Sequence, residues 1–261
     1  MKIGFIGCGN MATAIIKGIS RNASDKEIYF TDVKTSKMQA EEYGAVRMNT
    51  AHDIAENCDI VVLAVKPNMI ESVLTENADI INKHSPLLIS IAAGKTTDFI
   101  ASFLNENIRV VRVMPNINAK VGEAVCGICS NANASENDLK LVEDIFNTVG
   151  MVLRISEAQF PLFSVLAGCS PAYVYMFIDA LARAGVKNGM SKDVSLKIAA
   201  QAVLGSAKMI VESDEHPWSL IDQVCSPGGT TIEGLLSLQN DGFESAVHKA
   251  IDKAVDKDKK L

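Results

Sequence analysis

Lys2-Ile3-Gly4-Phe5-Ile6-Gly7-Cys8-Gly9-Asn10-Met11-Ala12 is the stretch on which the fold turns. An apolar run over Lys2–Ile6 is followed at once by two glycines, and helical spacing continues from there through Ser20. Strand, glycine turn and helix in that order are the setting that gives the G-x-G-x-x-G/A pattern its meaning. Gly7 permits a tight turn, Gly9 lets a diphosphate approach bare backbone, and Ala12 is small enough for the helix to pack on the strand. Asn10 and Met11 supply the first helical amides, where the macrodipole favours an anion. A glycine turn without a ligand shares these letters; the strand before it and the helix after it favour a dinucleotide.

Outward from this unit, strand-like runs recur at Glu27–Thr31, 59–65, 86–91 and 108–113, with helical spacing between them. That alternation predicts a doubly wound parallel sheet. Two more runs, 123–130 and 150–155, flank a helix expected over 135–148, with Ser135 as its cap and Asp138 three residues on. They are placed to extend the sheet. After Ser156 the strand signals stop, and the rest reads as helices rich in Ala, Leu, Ile and Val, with turns at 187–191 and 226–229. The expected fold is therefore α/β: a Rossmann-like doubly wound domain over residues 1–156, then an all-helical domain over 157–261. Phe243, Val247, Ile251 and Val255 recur every fourth residue and form one helical stripe facing a core or a partner.

The 261 residues are 48% apolar, ample for a core, and the net charge of -6 argues against a nucleic-acid surface. A small metabolite is the better class of partner. The opening residues enter a strand without a charged leader or long apolar segment, which makes the cytoplasm the expected location. The apolar region 160–186 is interrupted by Pro161, Ser164, Ser170, Pro171, Asp179 and Arg183, and reads as buried or interfacial helix rather than a bilayer span. Six cysteines in apolar surroundings are expected to be reduced thiols. Cys126 and Cys129 form a lone C-x-x-C in a strand-like stretch with no second ligand pair, so no metal is expected.

Asp32 ends the second strand 20 residues beyond Ala12, where an acid hydrogen-bonds the ribose 2'-hydroxyl of NAD and repels the 2'-phosphate of NADP. Lys34 and Lys37 pull the other way, and Asp32 also suits a plain turn, so NADPH or NADH is left open as the cofactor. Ala64, Val65, Lys66 and Pro67 lie at the carboxyl end of the run 59–65, and Ala92, Ala93 and Gly94 at the end of the run 86–91, where doubly wound sheets bind ligands. Lys66 fits a cofactor contact and a solvated loop lysine equally well.

Four segments together resemble the pyrroline-5-carboxylate reductase family, from Met1 to about Lys257: Ile6-Gly7-Cys8-Gly9-Asn10-Met11, Ala64-Val65-Lys66-Pro67, Val113-Met114-Pro115-Asn116 and Ser226-Pro227-Gly228-Gly229-Thr230-Thr231-Ile232. The last, preceded by His216-Pro217 and Asp222-Gln223-Val224, is the most specific to that family. The resemblance implies a helical domain interlocked with that of a second subunit, an active site formed between subunits, and self-association as a homodimer or a ring of dimers. It places cofactor contacts at Ile6, Cys8, Thr31, Asp32 and Asn49, and the nicotinamide near Ala92–Gly94 and Met114, Pro115 and Asn116. Substrate, 1-pyrroline-5-carboxylate on its way to L-proline, would lie over Ser226, Gly228, Gly229, Thr230 and Thr231, with Gln223 and Glu157 close by. Departures stand at Thr31-Asp32, where many members have Asn-Arg or a serine, at Ala167-Gly168-Cys169-Ser170-Pro171-Ala172-Tyr173, and at Gln223, where asparagine is usual.

Reducing a cyclic imine needs a positioned hydride donor, a proton for nitrogen and an anchor for the carboxylate. Amides of Gly229, Thr230 and Thr231 at a helix start form an anion nest; capping by Ser226 or Thr230 would use the same amides. The family resemblance gives Thr231 the catalytic part, its hydroxyl bonding the imine nitrogen and relaying a proton. Glu157 alone reads as an acid at a helix start, His216 before Pro217 as a proton source or, more commonly for such a residue, a turn element, and His52, His84 and His248 earn no role. A β-hydroxyacid dehydrogenase, the nearest enzyme alternative, needs a lysine base on the interdomain helix. No lysine occurs from Glu157 to Leu181, and Lys187 falls in a turn. A non-catalytic dinucleotide sensor would have no use for the Pro-Gly-Gly-Thr-Thr turn.

Overall fold

The computed structural model describes residues 1–23, 25–33 and 39–258. Its strands are β1 (Lys2–Ile6), β2 (Glu27–Thr31), β3 (Val46–Arg47), β4 (Ile60–Leu63), β5 (Leu87–Ser90), β6 (Val110–Met114), β7 (Ala124–Ser130) and β8 (Gly150–Arg154), and they join in one sheet ordered β3-β2-β1-β4-β5-β6-β7-β8. All pairs from β3 through β6 are parallel, β7 runs antiparallel to β6, and β8 is parallel to β7. Both late runs do extend the sheet. The chain reverses its direction of winding between β1 and β4, which puts a crevice at the carboxyl ends of those strands. One strand, β3, was not foreseen: two exposed residues carry no apolar run for a sequence reading to find.

Alternation along each strand explains how the sheet is covered on both faces. In β4, Ile60 and Val62 join a core with Ile15, Ile16 and Ile19 of α1 (Asn10–Asn22) and Val142, Ile145 and Phe146 of α5 (Glu136–Phe146). Val61 and Leu63 point the other way, into a core with Ile54 of α2 (Ala51–Asn57), Leu74 and Ile81 of α3 (Ile70–His84) and Ile100 of α4 (Thr97–Ala101). A strand buried on both faces reads as an unbroken apolar run, which is the character of Ile60-Val61-Val62-Leu63. Cys126 belongs to the first core. Cys129, an odd number of residues on, faces the other side of β7, so the two thiols cannot share a metal or a disulfide. Burial pushes both up to about 12, Cys129 with help from the nearby Glu157 carboxylate.

The capping box expected at α5 is present: Asp138 N–H donates to Ser135 Oγ at 3.2 Å and Ser135 N–H to Asp138 Oδ2 at 2.8 Å. Arg109 Nη1 adds a 2.8 Å ion pair to Asp138. Burial works to raise the Asp138 pKa, but the Ser135 hydrogen bonds and Arg109 outweigh it and hold the carboxyl below the usual carboxylate range. A depressed folded-state pKa stabilises above the unfolded value and is lost as pH falls through the folded one. Asp138→Asn is therefore expected to cost about 1 kcal/mol near neutrality and to make the acid limb of the stability curve shallower, checked by urea unfolding across pH. An unchanged acid limb would remove Asp138 from that role.

By compactness the chain divides into a unit ending at Gly168 and a second from Cys169 on, whereas the sequence changes character at Ser156. Residues between these points belong physically to the sheet unit, because Phe160 of α6 (Phe160–Phe163) is buried beneath the Arg112 guanidinium, 4.2 Å from its ring centroid. The second unit consists of α7 (Ser170–Lys187), α8 (Lys192–Glu212), α9 (Pro217–Val224), α10 (Thr230–Asn240) and α11 (Phe243–Asp258). Its inner contact is close: a methyl on Gly185 of α7 would strike Ser195 Oγ of α8. Otherwise it has little core of its own, with Pro171, Ala182, Ser195 and Ala199 the residues buried on its helices and none on α9, α10 or α11. Phe243 and Val247 of the α11 stripe stay 44% and 43% exposed, although Phe243 lies 6.1 Å from the Phe177 ring of α7, so the stripe is only partly covered within its own unit. Helices 157–187 and 192–212 are long and apolar enough by length and composition to cross a membrane, and only 11% of the most apolar 18-residue stretch of each is buried. Within the region 160–186, Phe160, Val165, Ala167, Pro171 and Ala182 are buried and the greater part is not, so the reading as a buried helix holds only for those positions.

Candidate active site

The glycine turn leaves β1 at the crevice. Gly7 has φ 93°, and a Cβ there would meet the Ala64 carbonyl at 2.8 Å, so a side chain would be both strained and obstructed. Its N–H continues the ladder to Thr31 O at 2.9 Å, while the N–H of Cys8 donates to Asp32 Oδ2 at 2.8 Å. Asp32 is thereby fastened to the turn it follows in space, a tie that the sequence reading did not contain. Beyond these spent amides, Gly9 caps α1 with no side-chain hydrogen bond, and a Cβ on Gly9 would meet no atom within 4 Å. The amides of Gly9, Asn10, Met11 and Ala12 are the orphan donors of a 13-residue helix opening onto clear space. A diphosphate fits that cradle.

The other expected contacts line up along the same edge. Ile6 and Thr31 are buried strand ends, Asn49 is exposed just before the Thr50 cap of α2, and Lys66 is exposed after β4 beside Ala64, Val65 and Pro67. Ala92 is buried, whereas Ala93 and Gly94 are exposed, with open space around Gly94. Lys34 and Lys37 lie outside the described residues. Met114 is half-buried and Pro115 buried at the end of β6. Asn116 departs from its expected part: its Nδ2 donates to Ala167 O at 3.0 Å and its Oδ1 accepts from Val125 N–H at 3.3 Å. A buried amide engaged at both ends is a latch between β6, β7 and the helix that follows β8, not a side chain reaching for a ligand.

Glu157 is likewise tied down. Its Oε1 accepts from Thr97 N–H at 2.8 Å and from Arg112 Nη1 at 3.1 Å, and its Oε2 accepts from Thr97 Oγ1 at 3.1 Å. The acid thus caps α4, the helix just after Ala92–Gly94, rather than the helix it begins. Sequence reasoning missed Arg112 because an arginine inside a valine-rich run gives no sign of the partner that lets it be buried.

In the helical unit, the Ser226–Gly229 turn closes with Gly229 N–H donating to Ser226 O at 3.0 Å. Pro227 followed by Gly228 at φ 65° satisfies a type II turn, whose third residue needs positive φ. The Gly229 amide is therefore spent, and the nest expected from Gly229, Thr230 and Thr231 narrows to the amides of Thr230, Thr231 and Ile232. Capping by Ser226 or Thr230 does not occur: the cap is Gly229, with no side-chain hydrogen bond. A methyl on Gly229 would run into the Ser226 side chain. His216 caps α9, accepting from Trp218 N–H at 3.2 Å, and Gln223 Nε2 donates to Glu215 Oε2 at 2.6 Å.

Two family models match. One described as pyrroline-5-carboxylate reductase dimerisation covers residues 157–261, and one described as NADP oxidoreductase, coenzyme F420-dependent, covers residues 2–94. The pyrroline-5-carboxylate reductase of Escherichia coli strain K12 is 41% identical over 264 residues, spanning 100% of this chain and 98% of that one. Among solved structures, that of the Coxiella burnetii pyrroline-5-carboxylate reductase superposes with a TM-score of 0.92 at 34% identity, covering 99% of this chain and 97% of that one. The Plasmodium falciparum pyrroline carboxylate reductase, solved with NADP bound, gives 0.87 at 35% identity over 99% and 97%.

Proposed function

This chain belongs to the pyrroline-5-carboxylate reductase family, and from that premise we propose which of its residues reduce the C=N bond of 1-pyrroline-5-carboxylate to give L-proline. It is an NAD(P)H-dependent imine reductase that self-associates through its helical region. Residues 1–156 serve the dinucleotide and 157–261 serve self-association and substrate. Gly9, Asn10, Met11 and Ala12 hold the diphosphate on their amides, and Gly7, Cys8 and Asp32 fix the turn that presents them. Thr31, Asp32 and Asn49 face the adenosine ribose, and Ile6, Ala64, Val65, Lys66 and Pro67 form the crevice wall. Ala92, Ala93 and Gly94, with Met114 and Pro115, leave room for the ring. When bound, the reduced nicotinamide supplies the hydride that forms the new C–H bond.

Thr230, Thr231 and Ile232 amides bind the substrate carboxylate without an arginine, supported by the uncapped start of α10. Ser226 and Gly228 shape the turn that bares those amides, and Gly229 keeps it clear. As the C=N bond takes a hydride at carbon, its π pair moves to nitrogen, which needs a proton. The exposed Thr231 hydroxyl orients that nitrogen and relays the proton from water, being too weak an acid to supply it unaided. Gln223, held by Glu215, borders the same turn; Glu157 and Asn116 act from within the sheet unit as supports. A cytoplasmic location and dimers stacked into a ring are the finer readings that the family likeness suggests.

The observation that carries this reading is the coincidence, in one chain, of an uncapped α1 at the sheet crevice and an uncapped α10 after a Pro-Gly-Gly turn. Purified protein is expected to oxidise NADH or NADPH when given pyrroline-5-carboxylate. Thr231→Ala is expected to lower turnover about a hundredfold while leaving dinucleotide affinity unchanged. Wild-type turnover in that variant would exclude Thr231, and no oxidation by the unaltered protein would sink the reading as a whole.

A further inference from the structure

Which phosphate pattern the crevice accepts depends on what stands at the end of β2, and there the chain ends on Thr31-Asp32 with no cation of its own among the described residues that follow directly. Asp32 offers its carboxylate to the Cys8 amide at 2.8 Å. The neighbouring strand brings a charge to the same strand end. β3 pairs in parallel with β2, Phe30 opposite Arg47, and Met48 N–H continues the ladder to Phe30 O at 2.8 Å. From the last residue of β3, Arg47 Nη2 donates to the backbone carbonyl of Asp32 at 3.2 Å. A guanidinium is thus anchored against the very residue that, in this fold, meets the ribose 2'-position. The fold's own chemistry gives the two charges opposite uses: an acid at this strand end bonds a ribose diol, and an arginine beside it accommodates a 2'-phosphate.

Resting on the dinucleotide reading above, we propose that Arg47 binds the 2'-phosphate of NADPH, with β3 supplying the cation. The exposed side chain is planar and carries five donors in a fixed fork, so it bonds a carbonyl and a phosphate oxygen pair in one orientation. A lysine in its place would keep the charge without the fork. Asp32 held close by keeps a ribose diol acceptable, so the crevice takes either dinucleotide and Arg47 sets the preference.

The test is calorimetric titration of the purified full-length protein with adenosine 2',5'-bisphosphate and with adenosine 5'-monophosphate, two probes that differ only in the 2'-phosphate. Arg47→Ala is expected to weaken the bisphosphate about tenfold or more and to leave the monophosphate unchanged, which also shows that the crevice is still folded. Arg47→Lys is expected to recover part of the loss. A Lys34→Ala/Lys37→Ala double variant is expected to lose less than Arg47→Ala. An unchanged ratio of affinities in Arg47→Ala, no binding of the bisphosphate by the unaltered protein, or a loss confined to the lysine variant overturns the assignment. Failure of the imine-reductase reading would look different: no oxidation of either dinucleotide with pyrroline-5-carboxylate, whatever the titrations give.

Discussion

Ile198→Glu is expected to leave the protein monomeric and to abolish turnover. On α8 only Ser195 and Ala199 are buried, both on the side that meets α7. On the remaining surface Val194, Ile198 and Met209 are 47%, 53% and 56% exposed, and their spacing puts them on one stripe. A 21-residue helix with apolar groups on nearly every side and two buried residues is not built for water. A second copy of the helical region is expected to cover that surface, in keeping with the dimerisation model that matches residues 157–261. A glutamate at the centre of such a contact must be desolvated without a partner, at a cost of several kcal/mol. Turnover goes with assembly because α10, which carries Thr230 and Thr231, buries no residue within its own chain. Its position is therefore expected to depend on the second copy as well as on α11. Sedimentation velocity and the imine assay, run on the same preparation, check both halves; a dimer with undiminished turnover would refute the placement of this stripe in the interface.

The same contrast between local and distant partners decides what could be read from the chain in advance. Features written in neighbouring residues were legible: the glycine turn, the Ser135 and Asp138 capping box, the Pro-Gly-Gly turn before α10, and apolar strands buried on both faces. The helical region was legible as helix, but whether its apolar stripes met a core or a partner was not, since both give the same spacing. What stayed hidden depends on groups far apart in sequence. The Cys8 amide is spent on the Asp32 carboxylate 24 residues away. Asn116 looked like a ligand contact and is a latch across 51 residues to Ala167. Arg47 sits on a strand too short to announce itself, and its neighbour Asp32 is set by the pairing of β2 with β3. Periodicity records which face of an element is buried; it carries no address for a hydrogen bond made by an isolated polar side chain.

Arg112 is the extreme case, and its removal is expected to cost about 3–5 kcal/mol. Its side chain is 10% exposed in β6, paired at 3.1 Å with a Glu157 carboxylate that is 29% exposed. The guanidinium also lies 4.2 Å above the Phe160 ring, a contact in which the cation gains from the ring face. Arg112→Ala deletes both and leaves Glu157 to the Thr97 amide and hydroxyl alone, a mostly enclosed charge without its counterion. The complementary change, Glu157→Gln, strands the arginine instead. Pairing Arg112→Met with Glu157→Gln removes both charges while keeping volume and an acceptor for Thr97, and is expected to recover much of the loss. Urea unfolding at one fixed protein concentration compares the variants, since the stability of a self-associating chain depends on concentration. The effect reaches the crevice as well. Glu157 and Thr96 cap the same short helix, Thr96 Oγ1 accepting from Phe99 N–H at 3.1 Å, and that helix fixes the far end of the loop that begins at Ala92. Weaker dinucleotide binding in Arg112→Ala, restored in the double variant, is therefore the second expected result. A loss below about 1 kcal/mol would mean that the pair merely replaces hydration it gave up, as buried ion pairs often do, and that the loop is held by Thr96 alone.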